Sequence, residues 1–267
     1  CHSKICLITK RQRNGFSYVT QIGTGNYNEK TSSLYTDFSL MTADKAIAED
    51  ALSFFENMLI NNTRGNYEKL LVAPVTLKDT LLRLIDDEIK QGDDGLIIIK
   101  ANSITERDLI DKLKEASCAG VKVHLIIRGI CCIVPGISEK TENITVTSIV
   151  GRYLEHSRIY AFGKASRQQI YISSADIMTR NQTRRVEIAC PIEDQDIKNW
   201  FVSYLHVLLS DTKKARKLQA DGNYIRVSAK DRPEISVQEY YLEHPPILPA
   251  IKTTKESLLK KLFKKQG

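Results

Sequence analysis

No run of 18 apolar residues occurs anywhere in this 267-residue chain, so no membrane-spanning helix is expected. No Cys-x-x-Cys pair occurs either. The six cysteines are scattered, two of them adjacent at Cys131 and Cys132, which suits neither a zinc ribbon nor a disulfide framework. Several lie in apolar runs, where a free cysteine behaves as a small hydrophobe. A reducing, cytoplasmic setting fits them, with a peripheral seat at a membrane left open. There is no initiator Met and no signal peptide. The chain opens at Cys1, directly before His2, and reads as a piece of a longer protein. The positive excess is also thinner than a net charge of +7 suggests. The stretch KTTKESLLKKLFKKQG at the end holds six Lys against one Glu, so charge alone does not make the whole chain a polyanion binder.

What is there suits a globular protein. Apolar residues make up 42% and charged residues 27%, enough for one large domain or two modest ones. Residues 4–9 and 17–22 are short apolar runs split by the polar turn RQRNG and predict a hairpin. Helical spacing runs through residues 43–60, and NNTRGN (61–66) is the candidate linker. Thr76 is placed to cap a helix carrying Leu77, Leu81, Leu84, Ile85 and Ile89. The continuous apolar runs 95–101 and 121–129 predict buried parallel strands. Between them lies a helix with Ser103 or Thr105 as cap and Gly120 as stop, completing a βαβ unit. The second of these strands ends at Arg128, and strand C-terminal ends are where open α/β sheets bind ligands. Further strands follow around His156, in QQIYISS and in RRVEIACPI. A long helix is then predicted over 194–218, and the proline-rich last forty residues are expected to be peripheral.

One phrase is written twice. His2-Ser3-Lys4-Ile5 returns as His156-Ser157-Arg158-Ile159. Downstream of each, a β-rich run ends in small residues and then an amide or acid: Gly23-Thr24-Gly25-Asn26 and Ser173-Ser174-Ala175-Asp176. A histidine and a base two residues apart on a strand point to the same face. Two such copies brought together would put two imidazoles and two cations around one pocket. That suits phosphoryl transfer: one imidazole as nucleophile, the other as acid/base partner, the cations on the phosphate oxygens. Lys4 and Arg158 are candidate phosphate ligands, as is Asn26 at the glycine turn. Arg180, Arg184 and Arg185 form a basic cluster that would line a channel for a phosphate-bearing substrate or, equally, make a solvated face.

The doubled motif resembles that of the phospholipase D superfamily, His-x-Lys followed by Asp after four more residues. Here that Asp position holds Thr9 in the first copy and Gly163 in the second, and Arg158 replaces the second Lys. The blocks HSKICLIT, YVTQIGTGNYNEKTSSLYTDFSLMT, GVKVHLIIRGICCIVPGI, ITVTSIVGRYLEHSRIYAFG, IYISSADIMTRNQTRRVEIACPI and LQADGNYIRV resemble, in order, the C-terminal half of the bacterial polyphosphate kinase family, from His2 to about residue 240. The resemblance implies an α/β fold of repeated phospholipase-D-like lobes with mixed, largely parallel sheets flanked by helices. Residues 1–65 would be the remainder of a first lobe, 66–230 a second lobe, and 231–267 an extension with a basic tail. It implies reversible transfer of the terminal phosphate of ATP to polyphosphate through a phosphohistidine on His2, with His156 contacting the phosphates. Tyr35 and Arg128 would contact the nucleotide, although Tyr35 also reads as a half-buried strand tyrosine. Mg²⁺ would accompany ATP, its ligands lying outside this chain. Homo-oligomers are implied, with no specific nucleic acid, and by itself the chain is expected to be an incomplete catalyst. The rivals are a phosphodiesterase of the same superfamily and a non-catalytic polyanion-binding module.

Overall fold

A computed structural model describes residues 1–229 and 233–245. The hairpin is β1 (Ile5–Gln12) and β2 (Gly15–Gly23). There follow α1 (Glu29–Ser32), β3 (Tyr35–Thr36), β4 (Ser39–Thr42) and α2 (Lys45–Leu59). The chain then enters β5 (Leu71–Ala73), α3 (Leu77–Ile89), β6 (Leu96–Ala101), α4 (Arg107–Cys118), β7 (Lys122–Ile127) and β8 (Ile144–Ile149). It continues through β9 (Leu154–Glu155), β10 (Arg158–Phe162), β11 (Gln169–Ser173), α5 (Thr179–Thr183), β12 (Glu187–Pro191), α6 (Gln195–Leu209), β13 (Ala215–Leu218), β14 (Tyr224–Arg226) and α7 (Val237–Glu243).

The large sheet has nine strands in the order β14-β13-β8-β7-β6-β10-β11-β12-β5. It is mixed, as expected, but its parallel part is confined to β6-β7-β8. The other pairings are antiparallel. The predicted βαβ unit is there, with α4 joining β6 to β7. Both faces of the sheet are covered, which explains the unbroken apolar runs in its central strands. On one face α3 and α4 bury Leu81, Leu84, Ile85, Leu109 and Leu113 against Ile97, Ile99 and Leu125. On the other, α2 and α6 bury Ile47, Phe54, Phe201 and Leu205 against Ile98, Ile159 and Ile172.

Four local expectations are corrected. The Thr76 hydroxyl does not cap α3; it accepts the Val72 N–H at 2.8 Å. The N-cap of α4 is Glu106 rather than Ser103 or Thr105, because Ile104 is still extended and bridges both Cys131 and Ile177. The helix predicted over 194–218 stops at Leu209. The buried Asp211 carboxylate takes the N–H groups of Lys214 and Ala215 and turns the chain into β13. The segment after 231 is not wholly peripheral, since α7 buries Val237 in the second core. The Lys-rich tail lies outside the described residues.

The sequence repeat is a structural repeat of three strands. In the first copy the order is β1-β2-β4, and in the second β10-β11-β12. Gly23 pairs with Ser39 as Ser173 pairs with Ala189. The copies meet through a two-residue parallel ladder between β3 and β9, with Tyr35 opposite Leu154 and Thr36 opposite Glu155.

Candidate functional site

Each histidine is held by an acid from the other copy. His2 Nδ1 lies 2.9 and 3.0 Å from the two Glu187 oxygens, and its backbone N–H donates to Val186 O at 2.9 Å. His156 Nδ1 lies 2.9 and 2.8 Å from the two Asp37 oxygens, and its N–H donates to Thr36 O. In both cases the backbone bond goes to the residue just before the acid. The acids are oriented alike. Thr24 Oγ1 donates to Asp37 at 2.6 Å and Ser174 Oγ donates to Glu187 at 2.5 Å, each across a separation of 13 residues. Asn181 Nδ2 adds a third bond to Glu187 at 2.8 Å. An imidazole whose Nδ1–H is taken by a carboxylate is fixed in the tautomer that leaves the Nε2 lone pair available.

The bases stand as the strand period requires. Lys4 Nζ is 3.0 Å from each ring nitrogen of His2, and Arg158 Nη1 is 3.3 and 3.1 Å from Nδ1 and Nε2 of His156. Both cations are 3% exposed. Burial is the main pull on Lys4; Glu187 opposes it, and the net result is a pKa of about 8. Arg158 is gripped at two points by Asp176 at 3.2 and 3.1 Å and also reaches Thr24 O. Asp176 itself is driven upward by burial, but Arg158 and the Asn102 N–H hold its pKa below the usual value. Arg158 and Asp37 lie near enough to act on the Lys4 charge, so the two halves make one electrostatic unit. Burial lowers the His156 pKa below its ordinary value, although the Asp37 hydrogen bond pulls the other way.

Tyr35 packs its ring 4.9 Å from that of His156 and lines three cavities, of about 310, 520 and 270 Å³. Arg128 shares the last of them. Its Nε donates to Asn102 Oδ1 at 2.9 Å and to Glu155 O at 2.7 Å, which aims the two outer nitrogens away from these anchors. The remaining candidates are less tightly drawn in. Asn26 is exposed on the wall of the 520 Å³ cavity, and among the described residues its side chain makes no bond to Lys4 comparable to that of Asp176 to Arg158. Arg185 comes within 3.9 Å of Glu187, whereas Arg180 and Arg184 are exposed. Sequence reasoning missed Asp37 and Glu187. The available signal was their equal spacing of 13 residues from the aligned Thr24 and Ser174.

No three His, Cys, Asp or Glu side chains among the described residues come together as a metal site. The carboxylates near the histidines are already taken by imidazole, guanidinium, hydroxyl and amide partners, and do not offer a divalent cation a set of hard oxygens. No described helix is long and apolar enough to cross a membrane.

The fold and site define a duplicated α/β protein with two crossed His–acid pairs, each beside a buried cation. Comparison with known proteins gives the family. The model for polyphosphate kinase C-terminal domain 2 matches residues 70–238, and that for C-terminal domain 1 matches residues 1–64. The chain belongs to the polyphosphate kinase family. It is 49% identical over 245 residues to a polyphosphate kinase of Staphylococcus epidermidis, covering 91% of this chain and 33% of the relative. It is 45% identical over 240 residues to one of Bacillus cereus, covering 89% and 34%. The crystal structure of polyphosphate kinase from Porphyromonas gingivalis superposes with a TM-score of 0.84 at 34% identity, covering 91% of this chain and 39% of that one. The chain thus spans about a third of the length of the curated relatives it matches.

Proposed function

We propose that this chain carries the phosphotransfer site of a polyphosphate kinase, which moves the terminal phosphate of ATP reversibly onto inorganic polyphosphate through a phosphohistidine on His2. The crossed anchoring of the two histidines carries this assignment. Nε2 of His2 attacks the γ-phosphorus, the N–P bond forms, and the bond to the bridging oxygen breaks as ADP leaves with the electron pair. Glu187 keeps the Nδ1–H and offsets the positive charge that appears on the phosphorylated ring. A terminal oxygen of polyphosphate then attacks the same phosphorus, the N–P bond breaks, and Nε2 regains its lone pair. Reversal makes ATP.

His156, whose pKa burial lowers, takes the proton from a terminal P–OH in this reading and returns it. Lys4 and Arg158 stabilise the equatorial oxygens. Arg128 presents a planar fork to the nucleotide phosphates and Tyr35 a ring to the base. Asn26 and Arg185 extend toward the polymer, with Arg180 and Arg184 farther along it. Mg²⁺ would accompany the nucleotide, held by ligands outside this chain, and would offset charge on its phosphates. The full enzyme works as a homo-oligomer. Two features favour a kinase over a phosphodiesterase. Gly163 sits at φ +80°, where an L-residue such as Asp is strained, and Thr9 is exposed on β1.

The test uses the chain joined to the remaining two thirds of the Staphylococcus epidermidis relative, hereafter the completed enzyme. γ-Labelled ATP should leave an acid-labile, base-stable label on the protein and extend polyphosphate. A phosphodiesterase would release label without retaining it, and a mere polyanion binder would show neither result.

A further inference from the structure

His156 is flanked by a buried polar cluster: its Lys100 lines none of the cavities around Tyr35, whereas Glu155 lines those of 310 and 270 Å³. Glu155 is 5% exposed and Lys100 1% exposed. Lys100 Nζ lies 3.1 Å from Glu155 Oε2, 2.8 Å from Ser157 Oγ and 3.0 Å from Ser157 O. All three ammonium protons are thereby used, on the residues immediately before and after His156. Glu155 Oε2 also accepts the Thr36 hydroxyl at 3.0 Å, and Thr36 precedes Asp37, the acid that holds His156. Glu155 Oε1 accepts Gln238 Nε2 at 2.7 Å. Gln238, on α7, further donates to Tyr153 O at 2.8 Å and accepts the Tyr153 N–H at 3.0 Å. A Cβ on Gly151 would come within 2.5 Å of Gln238 Oε1, so glycine there admits the amide.

A buried ion pair is weak evidence for stability, since apolar residues of like volume often serve a fold as well or better. Lys100 sits on the same face of β6 as the apolar Ile98, where an apolar side chain would be ordinary. Its use instead to fix both neighbours of one histidine, and through Thr36 the strand end bearing that histidine's acid, calls for another reason. Among the described residues, the neighbours of His2 are the exposed Cys1 and the half-buried Ser3, whose hydroxyl donates to Val186 O.

We infer, resting on the phosphotransfer reading above, that Lys100 and Glu155 are positioning residues for His156, and that Gln238 makes this positioning depend on α7. Lys100 reaches no substrate, and the Glu155 carboxylate is taken up by Lys100, Thr36 and Gln238. Together these residues set the β3–β9 register that brings Asp37 to the imidazole.

The test replaces the pair by apolar residues of like volume, Lys100→Met with Glu155→Met, in the 267-residue chain. Glu155→Gln is the second variant should the first fail to melt cooperatively. Imidazole NMR then follows the Nδ1–H of His156, with His206 and His244 as internal controls. Exchange of the His156 proton should quicken by on the order of tenfold or more while the controls stay unchanged. In the completed enzyme, kcat should fall by about 10²-fold with the KM for ATP little altered. In a His156→Gln background the same replacement should cost almost nothing more. Unchanged His156 exchange in a folded variant, or a loss that persists in full without His156, overturns the inference. The NMR arm needs no activity. Inactivity of the unmutated completed enzyme would therefore sink the functional reading and leave the positioning claim to be judged separately.

Discussion

The two histidines share a plan and differ in setting. His2 has 29% of its side chain exposed, stands beside a lysine with a pKa of about 8, and leans on a glutamate with no exposure. His156 has 10% of its side chain exposed and leans on an aspartate that is 21% exposed. It is packed against Tyr35, and its neighbouring base is an arginine that cannot lose its charge. The same three-strand repeat thus makes one open imidazole beside a titrating cation and one caged imidazole beside a permanent one. An attacking nitrogen must reach phosphorus, whereas a proton partner must hold its position, and the proposed division of labour rests on that contrast.

The sharpest way to break the comparison is to exchange the roles. His2→Gln in the completed enzyme should abolish the acid-labile label and polyphosphate synthesis. His156→Gln should retain the label but slow turnover by about 10²–10⁴-fold, the worth of a positioned acid/base group. Retention of label without His2 would move the nucleophile elsewhere. Next come the anchors. Asp37→Asn and Glu187→Gln keep the shape but let the ring adopt the other tautomer, and each should lower kcat by about 10²-fold or more. A fall in ATP affinity at constant kcat would mean that the acids bind substrate instead.

The bases differ in pH dependence. Lys4 keeps its proton below about pH 8 and loses it above, so phosphotransfer should decline as pH rises through that value. Lys4→Arg should move the limb upward. The folding contribution has the opposite trend: the unfolded chain holds the Lys4 proton up to about 10.5, so stability should rise with pH between about 8 and 10.5. Thermal melts of wild type against Lys4→Met across that window check the slope. Arg128→Lys should raise the KM for ATP nearly as much as Arg128→Ala, because an ammonium cannot copy a planar fork whose Nε is already bonded. The smallest effect belongs to Arg180→Ala and Arg184→Ala. Both side chains are exposed, and turnover should stay within about twofold while the salt dependence of polyphosphate binding becomes shallower.

Much of this arrangement was legible in the chain. Local patterning found the hairpin, the βαβ unit and the strand end at Arg128, because each is written in contiguous residues. The doubled His-Ser-base-Ile phrase and its small-residue turns identified the two imidazoles and their cations. The acids were not found, because Glu187 lies 185 residues from His2 and Asp37 lies 119 from His156. Only the crossing of the copies brings them together. Thr76 and Ser103 failed as caps because other backbone groups claimed their hydroxyls: the Val72 N–H, four residues back in the same turn, binds Thr76, and the Ile130 N–H, 27 residues on, binds Ser103. The parallel character of the sheet was overstated because a strand buried on both faces looks alike in sequence whichever way its neighbour runs.

The central claim, that His2 carries the phosphate in transit, is tested most directly by a chase. The completed enzyme is labelled briefly with γ-labelled ATP, the nucleotide is removed, and the labelled site is mapped while unlabelled polyphosphate or ADP is added. The label should sit on Nε2 of His2 alone, and should pass to polyphosphate or return to ATP as fast as the enzyme turns over. Label on His156, label on a carboxylate, or label on His2 that leaves more slowly than turnover would contradict it.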